Sequence, residues 1–517
     1  MALLPRPPEP PRMSRLLNKR LIRIVVAILT FVLTVYVILK SRHGGVGVVL
    51  PLLGYRETPK AYHFSTTSSF QPVSINPTGK TKEELCATFP KHLLNYVQPV
   101  LKMGHSEDRA KIEAHLDSVL ACFGKDDLLI MSDLDDTIRE YKIVDALADL
   151  PQSYYNLLKN RDFKSYMWQR EMRDNGTLHG EDPTATKLID GWVIDKYKFL
   201  PMIERAWVTK PDKPFYFFLE ADTYVFWDNV FRFLQTFDPD VPIYMGSPSP
   251  GRHDEKREIK TWFANGGPGF VLSRGAIKAL LHRKSGPNGH YIEPRITEKW
   301  LSLLSEECCG DSVMGWALWN ADVGLQGYWP MFNPHPLHGI PFSDLYWCQP
   351  VLTLHKTTPN DTVDLWRWEF GQRKLHRPLL YSDLWRFRHP GEPRILSNWD
   401  NGDWDSWFPP PEAKVNSLES CEQFCRREDK CVQWNWRGGN AKICILMRSI
   451  RFGQAREPEM IPEKRGAKRE ETHGGEKPQG NWVDYNSGWV AERINRWIGE
   501  RRCKEANWVG PSVTRIF

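Results

Sequence analysis

The stretch Phe215-Tyr216-Phe217-Phe218-Leu219-Glu220-Ala221-Asp222 restricts the fold more than any other part of the chain. Its five apolar residues read as a strand buried on both faces, as inside a mainly parallel sheet. The run ends abruptly in two carboxylates one residue apart, and ligands of open α/β sheets bind at the carboxyl ends of their strands. With the small Ala221 between them, Glu220 and Asp222 can both face one ligand, one acid toward a metal and the other toward a sugar hydroxyl. An isolated acid-x-acid triplet is common in solvated loops, but the flanks set this one apart. Phe199, Leu200, Ile203 and Trp207 fall at helical spacing, a Pro-rich turn follows at 210–214, and after the acids 230–234 reads as a helix and 242–246 as a strand. The acids therefore lie inside a helix, strand, helix, strand unit of an α/β fold.

At 517 residues the chain can hold one large domain and a smaller one. The formal charge of +6 is modest for this length, and the basic residues concentrate near the N-terminus and in a late linker, which argues against nucleic-acid binding. The 22 Trp residues suit a protein that handles sugars, although packing accounts for most of them equally well.

Residues 1–20 are Pro-rich and basic, as expected of a cytosolic tail. Residues 21–39 are apolar apart from Arg23, and at helical rise they span about 28 Å, enough for a thin membrane. No small-residue cleavage site follows at Lys40-Ser41-Arg42-His43, so the segment reads as a single-pass signal anchor with the bulk of the chain lumenal. Residues 40–80 read as a flexible stem.

From residue 81 helical spacing begins, and Leu128 to Ser132 reads as a strand ending in Asp133-Leu134-Asp135-Asp136-Thr137. Such a strand end resembles the nucleophile motif of haloacid-dehalogenase-like phosphatases, with Asp133 and Asp135 as the reacting pair and Gly310-Asp311-Ser312 as an imitation of a later metal segment. Three features oppose that reading. Gly315 stands where a second late acid is expected, no strand ending in Ser or Thr with a following Lys motif lies between, and a long helical stretch precedes the supposed first strand. Asn175-Gly176-Thr177 and Asn360-Asp361-Thr362 are N-glycosylation acceptor triplets, consistent with lumenal exposure.

Farther along, Asn265-Gly266-Gly267-Pro268-Gly269 gives room for close backbone approach before a strand at 270–273 and a helix from Arg274. Glu306 and Glu307 precede Cys308-Cys309-Gly310-Asp311 at the start of an apolar helix; Asp311 fits either a helix cap or a general base. Val351 to Leu354 reads as a strand delivering His355, a residue type that is more often structural but that can complete a metal site with a carboxylate.

Taken in order, Tyr216 to Leu234, Pro242 to Gly246, Gly266 to Ser273 and Cys308 to Leu318 resemble the Fringe and core 1 β1,3-galactosyltransferase family over roughly residues 120 to 370. The resemblance implies a type II Golgi membrane protein with a GT-A fold, a mixed, mainly parallel sheet flanked by helices. It also implies a UDP-sugar donor, manganese, inversion at the anomeric carbon and a glycan or glycoprotein acceptor, with galactose the favoured donor sugar. By position, Asp222 and His355 would hold the metal, Glu220, Gly266 and Gly267 would meet the donor, Asp133 would border the uridine pocket, and Asp311 would be the general base. Three departures stand out: the family prefers three aspartates where this chain has Glu-Ala-Asp, the middle acid is missing, and Gly310 replaces an acid beside Asp311. A catalytically weak, transferase-like binding protein is the alternative.

Residues 81–408 are expected to form the transferase-like domain, with a Trp-rich and Pro-rich joint near 398–411. Beyond it Cys421, Cys425, Cys431 and Cys444 do not have the spacing of a zinc ribbon. Ser417 to Cys425, with Cys431-Val432-Gln433-Trp434 and Cys444-Ile445-Leu446, resembles a PAN/apple module, a small α+β unit, over 415–517. That likeness implies Cys421 pairing with Cys444 and Cys425 with Cys431, and a role in binding proteins or glycans. Residues 456–479 read as a charged insertion, and 488–503 as a helix. Spacing alone does not settle the pairing of Cys86, Cys122, Cys308, Cys309, Cys348 and Cys503; Cys348 with one of the adjacent pair is the expectation. A homodimer is compatible with these features.

Overall fold

The computed structural model describes residues 62–63, 76–158, 160–176, 191–372, 377–388, 395–402, 405–461 and 481–513. The chain divides into two units, Met1–Leu53 and Gly54–Phe517. The first lies wholly outside the described residues, and with it the expected tail and the anchor at 21–39. Most of the expected stem and of the charged insertion also lies outside them. Among the described residues no helix is long and apolar enough to cross a membrane.

The larger body is built on a mixed eight-stranded sheet. Its strands in chain order are β1 (Val97–Lys102), β2 (Leu129–Ser132), β3 (Asp136–Ile138), β4 (Tyr141–Asp145) and β5 (Phe215–Glu220), then β7 (Tyr244–Gly246), β8 (Phe270–Ser273) and β9 (Leu325–Gly327). Between β5 and β7 lies the short β6 (Tyr224–Val225), which joins β10 (Phe332–Asn333) and β11 (Thr353–Leu354) in a separate three-stranded sheet ordered β10-β11-β6. The large sheet runs β9-β7-β8-β5-β1-β2-β4-β3. β5 is parallel to β1, β1 to β2, β2 to β4 and β9 to β7, whereas β8 is antiparallel to both its neighbours and β3 is antiparallel to β4.

The five apolar residues of β5 divide as a strand buried on both faces requires. Phe215, Phe217 and Leu219 enter one core, while Tyr216 and Phe218 enter the other. Helix α1 (Phe163–Asp174), helix α2 (Phe199–Thr209), helix α3 (Trp227–Leu234), helix α4 (Arg274–Leu281) and helix α5 (Gly310–Trp319) surround the sheet. Phe163, Phe199 and Ile277 join the core of Tyr216, and Trp227 and Phe231 join that of Phe217, so the sheet is covered on both faces. At the start of α4 the Ser273 hydroxyl accepts from the Ala276 N–H, a conventional N-cap.

The strand β1 has no counterpart in the sequence reading, and it contains Pro99, a residue that is rare in central strands. It is nonetheless central, lying between β5 and β2.

A second sheet is formed by β12 (Leu396–Ser397), β13 (Ser406–Trp407), β14 (Gln433–Arg437), β15 (Ile443–Met447) and β16 (Tyr485–Trp489), all antiparallel in the order β12-β16-β14-β15-β13. Parts of the expected joint at 398–411 are thus strand, and Gly488 and Trp489 belong to β16 rather than to a helix. Helix α6 (Leu418–Arg427) is tied to this sheet by Cys421–Cys444 and next to it by Cys425–Cys431. Helix α7 is confined to Ala491–Glu500.

Further disulfides are Cys86–Cys122, Cys308–Cys309 and Cys348–Cys503. The expected pairing of Cys348 with Cys308 or Cys309 is corrected. The chain after α7 returns to the larger body, where Trp347 Nε1 donates to Arg501 O at 3.0 Å and Asn507 N donates to Cys348 O at 2.9 Å. Cys503 is thereby brought to Cys348. Trp508 stacks on Phe233, and Ser512 N donates to Gly327 O on the edge strand β9 at 2.7 Å.

Candidate active site at the strand ends

Strand β5 ends in a tight turn that carries both acids. Thr223 N donates to Glu220 O at 3.0 Å, Glu220 N donates to the Thr223 hydroxyl at 3.1 Å, and that hydroxyl donates to Gly267 O at 2.6 Å. The chain then re-enters as β6, where Tyr224 is paired with Leu354 of β11. Because Leu354 is fixed there, His355 emerges beside the acids. Thr357 clamps the two segments through its N–H and its hydroxyl, both donating to Asp222 O at 3.0 and 2.9 Å.

His355 Nε2 consequently lies 3.5 Å from Asp222 Oδ1. Glu220, Asp222 and His355 each place one ligand atom within 4.8 Å of the others, the one such cluster of three among the described residues. Two carboxylates and an imidazole at this spacing fit a divalent cation of the manganese type. Burial lowers the His355 pKa, against the opposing pull of Asp222, which favours the neutral ring that a metal requires.

The glycine pair has two different partners. A Cβ on Gly267 would run into the His355 imidazole, so this glycine makes room for the ring. A Cβ on Gly266 would stand 3.3 Å from Glu220 Oε1 and 3.0 Å from the Phe199 ring, and the Gly266 N–H donates to Asp311 Oδ2 at 2.9 Å. Asp311, in the first turn of α5, also accepts at Oδ1 from Ser312 N at 2.9 Å. It does not cap the helix, whose N-cap residue is Cys309. Burial pushes its pKa up to about 6, a value suited to a base near neutral pH.

Beside the acids opens a cavity of about 310 Å³ lined by Lys102, Gly104, Trp192, Asp195, Lys198, Glu220 and Asp222, among others. Lys102, Asp195, Lys198 and Trp192 were not marked by the sequence. The missed strand β1 concealed Lys102, and the others follow no local motif. An ammonium at the end of an apolar run was the signal that could have exposed Lys102.

Asp133, expected to border the uridine pocket, does not itself line this cavity but faces the lining residue Lys198 at 3.7 Å. Its side chain is 0% exposed, with Oδ1 accepting from His105 N at 2.7 Å and Oδ2 from Gln169 Nε2 at 3.0 Å. Burial opposes its ionisation, but Lys198, the His105 N–H and Gln169 together hold its pKa below the usual value. Asp135 is exposed and accepts from Asp145 N at 2.9 Å. An enclosed, fully bonded Asp133 lacks the access a phosphatase nucleophile needs.

Two of the departures from the expected pattern, at Ala221 and Gly310, fall where an acidic side chain is disfavoured. Ala221 is buried in the core with Phe217 and Leu219, where an acid would lose its hydration unpaired. A Cβ on Gly310 would strike Lys196 O and the Phe199 ring, so no side chain fits there. Asn175 and Asn360 are both exposed, as acceptor sites require.

The fold and this site define a mixed α/β protein with an acid and histidine cluster at its strand ends, and part of it is similar to known proteins. Residues 197–299 match the Fringe-like family model. Over 149 residues the chain is 27% identical to beta-1,3-N-acetylglucosaminyltransferase lunatic fringe of Xenopus laevis, a match covering 26% of this chain and 36% of that protein. The segment matched by the family model takes in α2, β5, the acids, the glycine pair and α4. Both likenesses are to Fringe-like proteins and cover well under half of the chain. The galactose expectation gains no support from this relative, whose name specifies N-acetylglucosamine.

Proposed function

We propose that this protein is a metal-dependent, inverting glycosyltransferase that moves a sugar from a UDP-sugar to a glycan or glycoprotein in β1,3 linkage. The observation that carries the reading is the approach of His355 Nε2 to 3.5 Å from Asp222 Oδ1, with Glu220 in the same cluster. A divalent cation, manganese in this reading, held by Asp222 and His355 would supply Lewis-acid stabilisation of the charge that develops on the leaving diphosphate. The protein's own residues do the rest. Asp311 accepts the proton of the acceptor hydroxyl as that oxygen attacks, and its hydrogen bonds to Gly266 N and Ser312 N fix the carboxylate in place.

The wider layout belongs to the same proposal: a GT-A-type domain over 81–408, a PAN/apple-like module over 415–517 that presents acceptors, and a Golgi location through an anchor at 21–39. The pairing of Cys421 with Cys444 and Cys425 with Cys431 supports the module.

The test is release of UDP from UDP-galactose, UDP-N-acetylglucosamine and UDP-glucose with and without Mn2+. Manganese-dependent release that disappears in Asp222→Ala supports the reading and identifies the donor. Absence of release from any donor points instead to a binding protein. Phosphate release from a phosphomonoester, unaffected by Asp222→Ala, would return the phosphatase reading.

A further inference from the structure

A chain of alternating charges, its two lysines buried, lines the cavity and ends on Glu220. Lys102 and Glu220 are register partners at the ends of the neighbouring strands β1 and β5. Lys102 Nζ lies 2.7 Å from each oxygen of Asp195 and 3.1 Å from Glu220 Oε1, and 4.8 Å from the centre of the Phe199 ring. Asp195 is shared with Lys198 at 3.1 Å, and Lys198 donates to Met103 O at 2.9 Å and faces Asp133 at 3.7 Å. The Lys102 side chain is only 7% exposed. Burial alone would favour its neutral form, but Asp195 and Glu220 outweigh that and keep it an ammonium.

We propose that Lys102 is a positioning residue that engages Glu220 as its counter-ion and so withholds this carboxylate from the cation, leaving Asp222 and His355 as the ion's protein ligands. The inference rests on the transferase reading of the site. Its physical basis is competition: a divalent ion taken up by Glu220 would stand close to a buried ammonium that cannot leave, and like charges in a poorly solvated site repel strongly. An ion held by fewer anionic ligands retains more of its charge for phosphate oxygens. The glutamate at 220 then has a reason. Its extra methylene carries the carboxylate toward Lys102, whereas an aspartate would draw it back toward its own backbone.

Titration of Mn2+ alone into the purified full chain, followed by the electron paramagnetic resonance signal of the free ion, tests this without turnover. Wild type is compared with Glu220→Gln, Asp222→Asn and Lys102→Met, each checked by circular dichroism and thermal melting. Asp222→Asn is expected to weaken Mn2+ binding by on the order of tenfold or more. Glu220→Gln, whose amide oxygen can still accept from Lys102, is expected to weaken Mn2+ binding several-fold less than Asp222→Asn does, and Lys102→Met to tighten it by freeing Glu220. If Lys102→Met does not fold, Glu220→Gln decides alone. Weakening by Glu220→Gln equal to that by Asp222→Asn overturns the inference while leaving the transferase reading intact. A wild type that takes up no Mn2+ overturns both together.

Discussion

The imidazole of His355 occupies the space that a Cβ on Gly267 would need. The glycine and the histidine come from segments far apart in sequence, and the site depends on their meeting. Gly267→Ala is therefore expected to displace the ring from Asp222 and reduce Mn2+ affinity by roughly 10- to 100-fold. Calorimetric titration of Mn2+ checks this, and retention of affinity would show that the ring position is not set by the glycine.

Asp311 links the site to pH. Its pKa of about 6 lies above the ordinary value of 3.8, so the folded chain holds this proton more tightly than the unfolded one. As a base it works only when ionised. Turnover should fall as pH drops through about 6 and level off above it. The stability contribution has the opposite sense, present at low pH and lost as pH rises through the folded value. Asp311→Asn should lower kcat by about 10²- to 10⁴-fold and remove the acidic limb, with UDP binding retained. An acidic limb unchanged in the variant's residual activity would assign it to another group.

At Gly310 the backbone of Lys196 and the ring of Phe199 leave no room for a side chain. Restoring an acid with Gly310→Asp should therefore destabilise the protein by about 1–3 kcal/mol through overpacking. Chemical denaturation measures the change. Unaltered stability would mean that the start of α5 moves freely away from α2.

Cys348–Cys503 closes a separation of 155 residues and returns the C-terminal segment to the larger body. Replacing both cysteines with serine should cost about 2–5 kcal/mol, because the unfolded chain regains the freedom that the crosslink removed. The same paired replacement at Cys425 and Cys431, separated by only 6 residues, should cost less. Melting temperatures of the two variants decide the order.

The legible part of the site was the part with local grammar. Glu220 and Asp222 end an apolar strand, Asp311 opens an apolar helix and His355 follows a short strand, and each signal is complete within about ten residues. Asp195 has no such grammar, and that of Lys102 is broken by Gln98 and Pro99. Their significance comes from strands and helices packed side by side. Asp133 stood at a convincing strand end, yet α1 supplies Gln169 across it and encloses it.

What the amino-acid sequence determined by itself was the alternation of helix and strand around the site and the position of two acids at a strand end, because these follow from side-chain period along the chain. Only the tertiary structure decided that His355 reaches Asp222, that Gly267 yields space to its ring, that Lys102 takes hold of Glu220 and that Cys348 meets Cys503. Those relationships depend on which strands become neighbours and in what register, and that is settled by burying two faces of one sheet at once.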